Sequence, residues 1–187
     1  MIDFRKARFV TSAPDLSARP KQELPAILMV GRSNVGKSTL INALLDQKIA
    51  FSSKKAGKTK LLNYFEVDSS FYLVDSPGYG STLYANISTI NFAKMMEDYV
   101  KEPSLKAIVL LLDLRRDLGE DDKRFIKYLQ QTKVKMLVVL TKFDQMNQSE
   151  RHKAKVRANE LGLYQYMESD LSAKTVAKIR LAISSVL

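Results

Sequence analysis

Gly31-Arg32-Ser33-Asn34-Val35-Gly36-Lys37-Ser38 places two glycines, a lysine and a serine in the spacing G-x-x-x-x-G-K-[ST]. In such a loop, successive backbone N–H groups turn inward and cradle the α- and β-phosphates of a nucleotide, aided by the positive end of the helix that follows. Gly31 and Gly36 let the backbone approach the phosphates closely. Lys37 is placed to reach the β- and γ-phosphate oxygens, and the Ser38 hydroxyl to ligate Mg²⁺. Downstream, Asp75-Ser76-Pro77-Gly78 fits D-x-x-G. There a carboxylate can hold Mg²⁺ through water, and the Gly78 N–H can meet the γ-phosphate. Thr141-Lys142-Phe143-Asp144 fits [NT]-K-x-D. The Asp144 carboxylate can accept from both N1–H and the exocyclic amine of guanine, a donor pair that adenine lacks. The Lys142 stem packs over the base or braces the phosphate loop. Thr59, with Gly57, Lys58, Lys60 and Leu61 around it, lies between the first two motifs and is the candidate to close onto Mg²⁺ and the γ-phosphate.

These motifs need elements to hold them. Ala26 to Val30 is a short apolar run that reads as a buried parallel strand, and Leu40, Ile41, Ala43, Leu44 and Leu45 give the apolar face of a helix. Leu61–Val67 and Phe71–Val74 flank the turn signal Asp68-Ser69-Ser70 and predict a hairpin. A helix is expected from about Ile90 to Val100, a buried strand at Ala107–Leu112, a helix opening at Asp121, and a strand at Met136–Leu140. A basic helix from Ser149 to Gly162, a short strand over Tyr164–Glu168 and a last helix carrying Val176, Ile179, Ile183 and Val186 complete the chain. Alternating apolar strands and helices predict an α/β domain with a mostly parallel six-stranded sheet flanked by helices, the P-loop NTPase arrangement. Every polar motif follows a strand, so all converge on the carboxyl edge of that sheet, where ligands bind. Residues 1–25, with prolines at 14, 20 and 25, read as an extended lead-in to a single domain spanning 1–187.

The 187 residues contain no cysteine, which excludes disulfides and thiolate metal sites and fits a reducing cytoplasm. Met1–Lys6 has no apolar signal core and no apolar run is long enough to span a bilayer, so no membrane insertion is expected. The net charge of +10 predicts a polyanionic partner, nucleic acid or an anionic membrane surface. Lys54, Lys55, Lys58 and Lys60 crowd the loop around Thr59; Arg151, Lys153, Lys155 and Arg157 form a second basic stretch expected to face solvent. His152, in that stretch, reads as exposed rather than catalytic, and Met95, Met96 and Tyr99 as core filling.

With these motifs in view, the chain resembles the EngB (YihA/YsxC) family of bacterial GTPases, in the superfamily that also includes TrmE, Era, EngA and the septins. The resemblance rests on GRSNVGKSTLINAL (Gly31–Leu44), Gly57-Lys58-Thr59, Asp75 to Gly80 and Thr141 to Asp144, and extends to Phe9-Val10-x-Ser12-Ala13 and Asp113-x-Arg115. It implies a Ras-like GTPase fold, binding of GTP or GDP with Mg²⁺ held by Ser38 and Thr59, and a catalytic role for Lys37, Thr59 and Gly78. It further implies a monomer that assists assembly of the large ribosomal subunit on rRNA and is needed for normal division and septum formation. An Asn in the phosphate loop, here Asn34, is associated in related GTPases with a K⁺ ion. Lys55-Ala56 stand where the family has Thr-Pro, and Ser81-Thr82-Leu83 replace Tyr-Ala-Lys. The last base-contacting loop has two candidates: Glu168-Ser169-Asp170, directly after the predicted strand, and the literal S-A-K string at Ser172-Ala173-Lys174. The first is favoured, because the second leaves almost no loop before the final helix. Two other functions remain open at this point: a P-loop small-molecule kinase, which would not need Thr141 to Asp144, and a non-hydrolysing GTP-dependent scaffold at the division site.

Overall fold

The computed structural model describes residues 2–50, 61–80 and 85–187, the side chains of 85–91 excepted. Among them the order is β1 (Ala7–Ala13), β2 (Ala26–Gly31), α1 (Lys37–Leu45), β3 (Leu62–Val67), β4 (Phe71–Asp75), α2 (Ala85–Tyr99), β5 (Leu105–Leu112), α3 (Glu120–Gln131), β6 (Lys135–Leu140), α4 (Gln148–Glu160), β7 (Met167–Glu168) and α5 (Ala173–Ser184). Short 3-10 turns at Leu16–Ala18 and Phe143–Gln145 complete it.

The sheet runs β1-β3-β4-β2-β5-β6-β7, with β4, β2, β5, β6 and β7 parallel and β1 and β3 antiparallel. It has seven strands, not six, because the lead-in contributes β1. The reason lies in cross-strand pairing. Arg8 stands opposite Glu66 and pairs with it at 2.7 Å, and Ser12 stands opposite Asn63 and donates to it at 2.6 Å. Pro14, Pro20 and Pro25 fall after this strand and do not interrupt it. A register shift between Phe9 and Thr11 bends this edge strand, which limits its use as a template for further pairing.

The central strands β2 and β4 are buried along their whole length. That is why they are apolar throughout, save for Asp75 at the end of β4. One face of the sheet packs Met96 and Tyr99 of α2, Ile126 and Leu129 of α3, and Ala154 and Ala158 of α4. The other packs Leu40, Ile41 and Leu44 of α1 against Val176, Ile179 and Ile183 of α5. Arg180 of α5 fixes that second layer, donating to the Leu44 carbonyl at 2.8 Å while its guanidinium lies 5.6 Å over the Phe4 ring. Tyr64 and Tyr99 meet through their hydroxyls at 2.6 Å inside the first layer, so neither buried oxygen is left unpaired.

Several boundaries differ from expectation. α2 begins at Ala85, within the stretch read as polar loop. β7 covers only two residues of the predicted Tyr164–Glu168, and Tyr164 is 75% exposed. The basic stretch of α4 is exposed apart from the half-buried Arg157, and three of its side chains also serve the fold. Arg151 donates to the Phe143 and Met146 carbonyls, Lys155 pairs with Glu168 at 2.8 Å, and Arg157 pairs with Asp117 at 2.7 Å. Lys153 and His152 are exposed, as expected.

Candidate nucleotide site

The loop between β2 and α1 is shaped by three backbone requirements. Gly31 ends β2 where a Cβ would lie 2.7 Å from Val35 Cγ1 and 3.2 Å from the Leu111 carbonyl oxygen, so only glycine fits. Asn34 adopts φ 66° and Gly36 φ 102°, the left-handed conformations that fold the loop back on itself. Gly36 precedes α1 and offers no side-chain cap. The first N–H groups of α1 are therefore left for water or an anion, and the helix dipole favours the anion. The loop thus builds an anion cradle out of backbone.

Lys37, in the first turn of α1, extends to the end of β4, where its ammonium donates to the Asp75 carboxylate. Both side chains are at least nine-tenths buried. Asp75 and Ser76 sit beside the cradle because β4 runs parallel to β2 in register, Met29 opposite Asp75. The Ser76 hydroxyl donates to the Met29 carbonyl at 2.8 Å and holds that register. The next residues lie directly on the phosphate loop: Ser33 N donates to the Tyr79 carbonyl at 2.9 Å and Tyr79 N to the Gly31 carbonyl at 3.2 Å. A Cβ on Gly78 would come within 3.0 Å of Ser33 Cα, so this approach also requires glycine. Pro77 precedes it and is half-buried.

Tyr79 follows D-x-x-G at the place where Ras-like enzymes carry a water-orienting Gln. Its ring packs against Phe125 and Phe92 with centroids 4.9 and 5.5 Å away. Its hydroxyl is buried without a hydrogen-bond partner among the described residues. Burial first, then the nearby Asp122 carboxylate, raise its pKa. Asp122, itself 1% exposed, pairs with Arg32 of the phosphate loop at 2.7 Å.

The Thr141–Asp144 segment comes off β6 and reaches across the same edge. Thr141 is buried and donates through Oγ1 to the Val35 carbonyl at 2.9 Å. Lys142 adopts φ 62° and its ammonium donates to the Asn34 carbonyl at 2.9 Å, so of the two expected roles it braces the phosphate loop. Phe143 is buried as an anchor, Phe143 N donating to the Ser169 carbonyl at 3.2 Å, and Asp144 projects into solvent. Of the two candidate final loops, Ser169 and Asp170 follow β7 beside this segment, with Ser169 N donating to the Leu140 carbonyl at 2.8 Å. The Ser169 hydroxyl is buried without a partner among the described residues. Glu168 belongs to β7 and to its ion pair with Lys155. Ser172 caps α5 by accepting from Thr175 N, and Ala173 and Lys174 are already helical. Asp170 accepts from Ser172 N at 2.9 Å and from the Thr175 hydroxyl at 2.7 Å, and hydrogen bonding by Ser172 and then Thr175 holds its pKa at about 2.

Gly31 to Ser38, Asp75 to Gly78, Thr141 to Asp144 and Ser169 to Asp170 therefore converge on one edge, and Leu61 is exposed just ahead of β3. Gly57, Lys58, Thr59 and Lys60, like Lys54, Lys55 and Ser81 to Leu83, lie outside the described residues. Asp122 is not among the site residues expected from the sequence, and its pairing with Arg32 brings it beside the phosphate loop. No group of three or more His, Cys, Asp or Glu capable of holding a metal occurs among the described residues. A cation beside Ser38 and Asp75 would need phosphate and water oxygens to complete its shell, which is how Mg²⁺ binds with nucleotides.

Comparison with known proteins agrees with this geometry. A family profile described as "50S ribosome-binding GTPase" matches residues 26–142. The chain is 39% identical over 151 residues to the probable GTP-binding protein EngB of Lactobacillus acidophilus, covering 80% of this chain and 77% of that one. It is 40% identical over 154 residues to the corresponding EngB of Pasteurella multocida, covering 81% and 75%. Among solved structures it is similar in fold to a probable GTP-binding protein EngB, with TM-score 0.63, 22% identity, and coverage of 86% of this chain and 97% of the other. It is likewise similar to Era in complex with MgGDPNP and nucleotides 1506–1542 of 16S ribosomal RNA, with TM-score 0.65, 18% identity, and coverage of 89% and 57%. Fold and site together define a P-loop GTPase, an enzyme that binds GTP and hydrolyses it to GDP and phosphate. Within that class, the chain belongs to the EngB family of GTP-binding proteins.

Proposed function

We propose that this chain is a Mg²⁺-dependent, slowly hydrolysing GTP switch that assists assembly of the large ribosomal subunit, acting as a single-domain cytoplasmic monomer. The observation that carries the switch reading is the bond from the Lys142 ammonium to the Asn34 carbonyl. It joins the guanine-reading segment to the phosphate cradle, so that base and phosphates are read by one connected unit. In this reading Gly31 to Ser38 hold the phosphates, Ser38 and Thr59 hold Mg²⁺, and Lys37, Thr59 and Gly78 meet the γ-phosphate. Asp144, with Ser169 and Asp170 alongside, reads the base. Mg²⁺ would neutralise charge on the β- and γ-phosphates. Lys37 would exchange its Asp75 partner for phosphate oxygens.

Hydrolysis is slow in this account because Tyr79 replaces the water-orienting Gln and its ring is held in a cluster with Phe92 and Phe125. A partner, or K⁺ held near Asn34, completes the site. The ribosomal partner is supported by the matching family's description and by the charge of +10. The Era structure, a protein of the same fold bound to ribosomal RNA, supports RNA as the contacted chemistry. The family resemblance adds a need for the protein in normal division and septum formation to this reading. The test is nucleotide affinity and turnover on the purified chain. GTP and GDP should bind with Mg²⁺ far more tightly than ATP, with turnover well below that of a partner-stimulated GTPase and higher in K⁺ than in Na⁺. Equal affinity for ATP would refute the guanine-reading assignment. Fast turnover of the isolated chain in K⁺-free buffer would refute the incomplete site.

A further inference from the structure

The guanine-reading segment is held in an unfavourable backbone conformation. Lys142 has φ 62° and ψ 30°, and so long a side chain in the left-handed region costs about 1 kcal/mol and persists only where its surroundings fix it. Asn34, which its ammonium meets, is left-handed as well, at φ 66°. Some group outside both loops must therefore hold the two together.

That group comes from the end of β5. The Asp113 carboxylate pairs with the Lys142 ammonium at 3.0 Å. Asp113 is in turn gripped side-on by Arg115, Nε to Oδ1 at 2.8 Å and Nη2 to Oδ2 at 2.8 Å, the two-pronged geometry that fixes orientation as well as charge. The remaining arm of Arg115, Nη1, donates to Gln145 Oε1 at 2.6 Å. Gln145 belongs to the same 3-10 turn as Asp144. The guanidinium thus spans from Asp113, behind Lys142, to the turn that carries the guanine-reading carboxylate. Burial pushes the Asp113 carboxyl up, but Arg115 and Lys142 together bring it down to about 2, so it stays charged at any working pH. The loop is fixed from its other side too, Arg157 donating to the Leu114 carbonyl at 2.8 Å.

We propose that Asp113 and Arg115 are positioning residues for base recognition, setting Lys142 against the phosphate loop and aiming Asp144 at the guanine, so that they determine nucleotide specificity without touching the nucleotide. This rests on the guanine-nucleotide reading above.

The test compares GDP with inosine diphosphate, which lacks only the exocyclic 2-amino group and so reports how well Asp144 is aimed. Arg115→Ala should lower GDP affinity about tenfold, the scale of a lost charge-assisted hydrogen bond. It should lower the affinity for inosine diphosphate less, so that the preference for GDP shrinks several-fold. Arg115→Lys should resemble Arg115→Ala in preference, because an ammonium cannot reproduce the fork. Gln145→Ala, at an exposed position, leaves the Asp113 pair intact and should shrink the preference in the same direction by a smaller factor. Thermal unfolding of each variant monitors the fold, and Gln145→Ala serves if the arginine variants fail to fold. An unchanged preference in all variants that fold, or equal losses for both nucleotides, overturns the proposal. A wild-type chain with no preference for GDP over inosine diphosphate would instead refute the guanine-reading role of Asp144 itself.

Discussion

Thr141 joins the two halves of the site at a point where the cost of breaking the link can be worked out. Its hydroxyl is the hydrogen-bond donor that the described residues supply to the Val35 carbonyl, at 2.9 Å, and it lies 3.3 Å from the Leu112 carbonyl. Leu112 O also accepts from Thr141 N at 2.9 Å, so it keeps a partner when the hydroxyl is removed. Val35 O does not. Thr141→Val preserves the side-chain shape at a residue only 5% exposed and leaves that phosphate-loop carbonyl unpaired. An unpaired buried acceptor costs about 1–3 kcal/mol. For a chain of this size each kcal/mol is worth roughly 2–4 °C in Tm, so a fall of roughly 4–8 °C is expected for a cost in the middle of that range. Because Val35 lies within the cradle, GDP affinity should fall as well. Thr141→Ser retains the donor and should lose much less of both. The assays are thermal unfolding without nucleotide and fluorescent-GDP titration. A Thr141→Val variant as stable as wild type would refute the claim that this hydroxyl fixes the phosphate loop.

Lys37→Ala should abolish tight nucleotide binding, since it removes the cation facing the β- and γ-phosphates; unchanged GTP affinity by titration would contradict the cradle assignment. Asp144→Asn should weaken GTP and favour xanthosine triphosphate, whose C2 carbonyl matches the new amide donor, and competition between the two nucleotides reads this directly. The Asp113 carboxylate, lowered from 3.8 to about 2, contributes stability that is full above 3.8 and is lost as pH falls towards 2. Thermal unfolding across that range should show a loss that is smaller in Asp113→Asn than in wild type, the remainder coming from other carboxylates with lowered pKa such as Asp170.

How much of this was readable from sequence depended on whether the signal was local. Gly36 is required by its φ of 102°, and Gly31 and Gly78 by close approaches to Val35 and Leu111 and to Ser33; each stands at a fixed place in a short motif, so the spacing announces them. β2, and β5 from Ala107 onward, are buried on both faces and read as unbroken apolar runs. β1 escaped because its evidence lies in partners more than fifty residues away, Glu66 for Arg8 and Asn63 for Ser12. The same holds for Asp122, whose meaning depends on Arg32, ninety positions earlier. The basic residues of α4 face solvent as expected, Arg157 being half-buried, but helical spacing does not show what their long side chains reach. Arg151 and Arg157 turn to carbonyls at the ends of neighbouring elements. Asp113-x-Arg115 was visible only as a resemblance, its role emerging once Lys142 and Gln145 were brought beside it.

The central claim, a guanine-nucleotide switch acting on the large ribosomal subunit, is tested most directly by co-sedimentation of the purified chain with separated large and small subunits. The measurement is made in GDP and in a non-hydrolysable GTP analogue, across a salt series. Lys54, Lys55, Lys58 and Lys60 accompany Thr59 in sequence, so the γ-phosphate should bring these charges to bear on rRNA. The account predicts binding to the large subunit that is strong with the analogue, weak with GDP, steeply reduced by salt, and diminished in Lys54→Ala/Lys55→Ala. Binding that is the same in both nucleotide states, or that favours the small subunit, would contradict it.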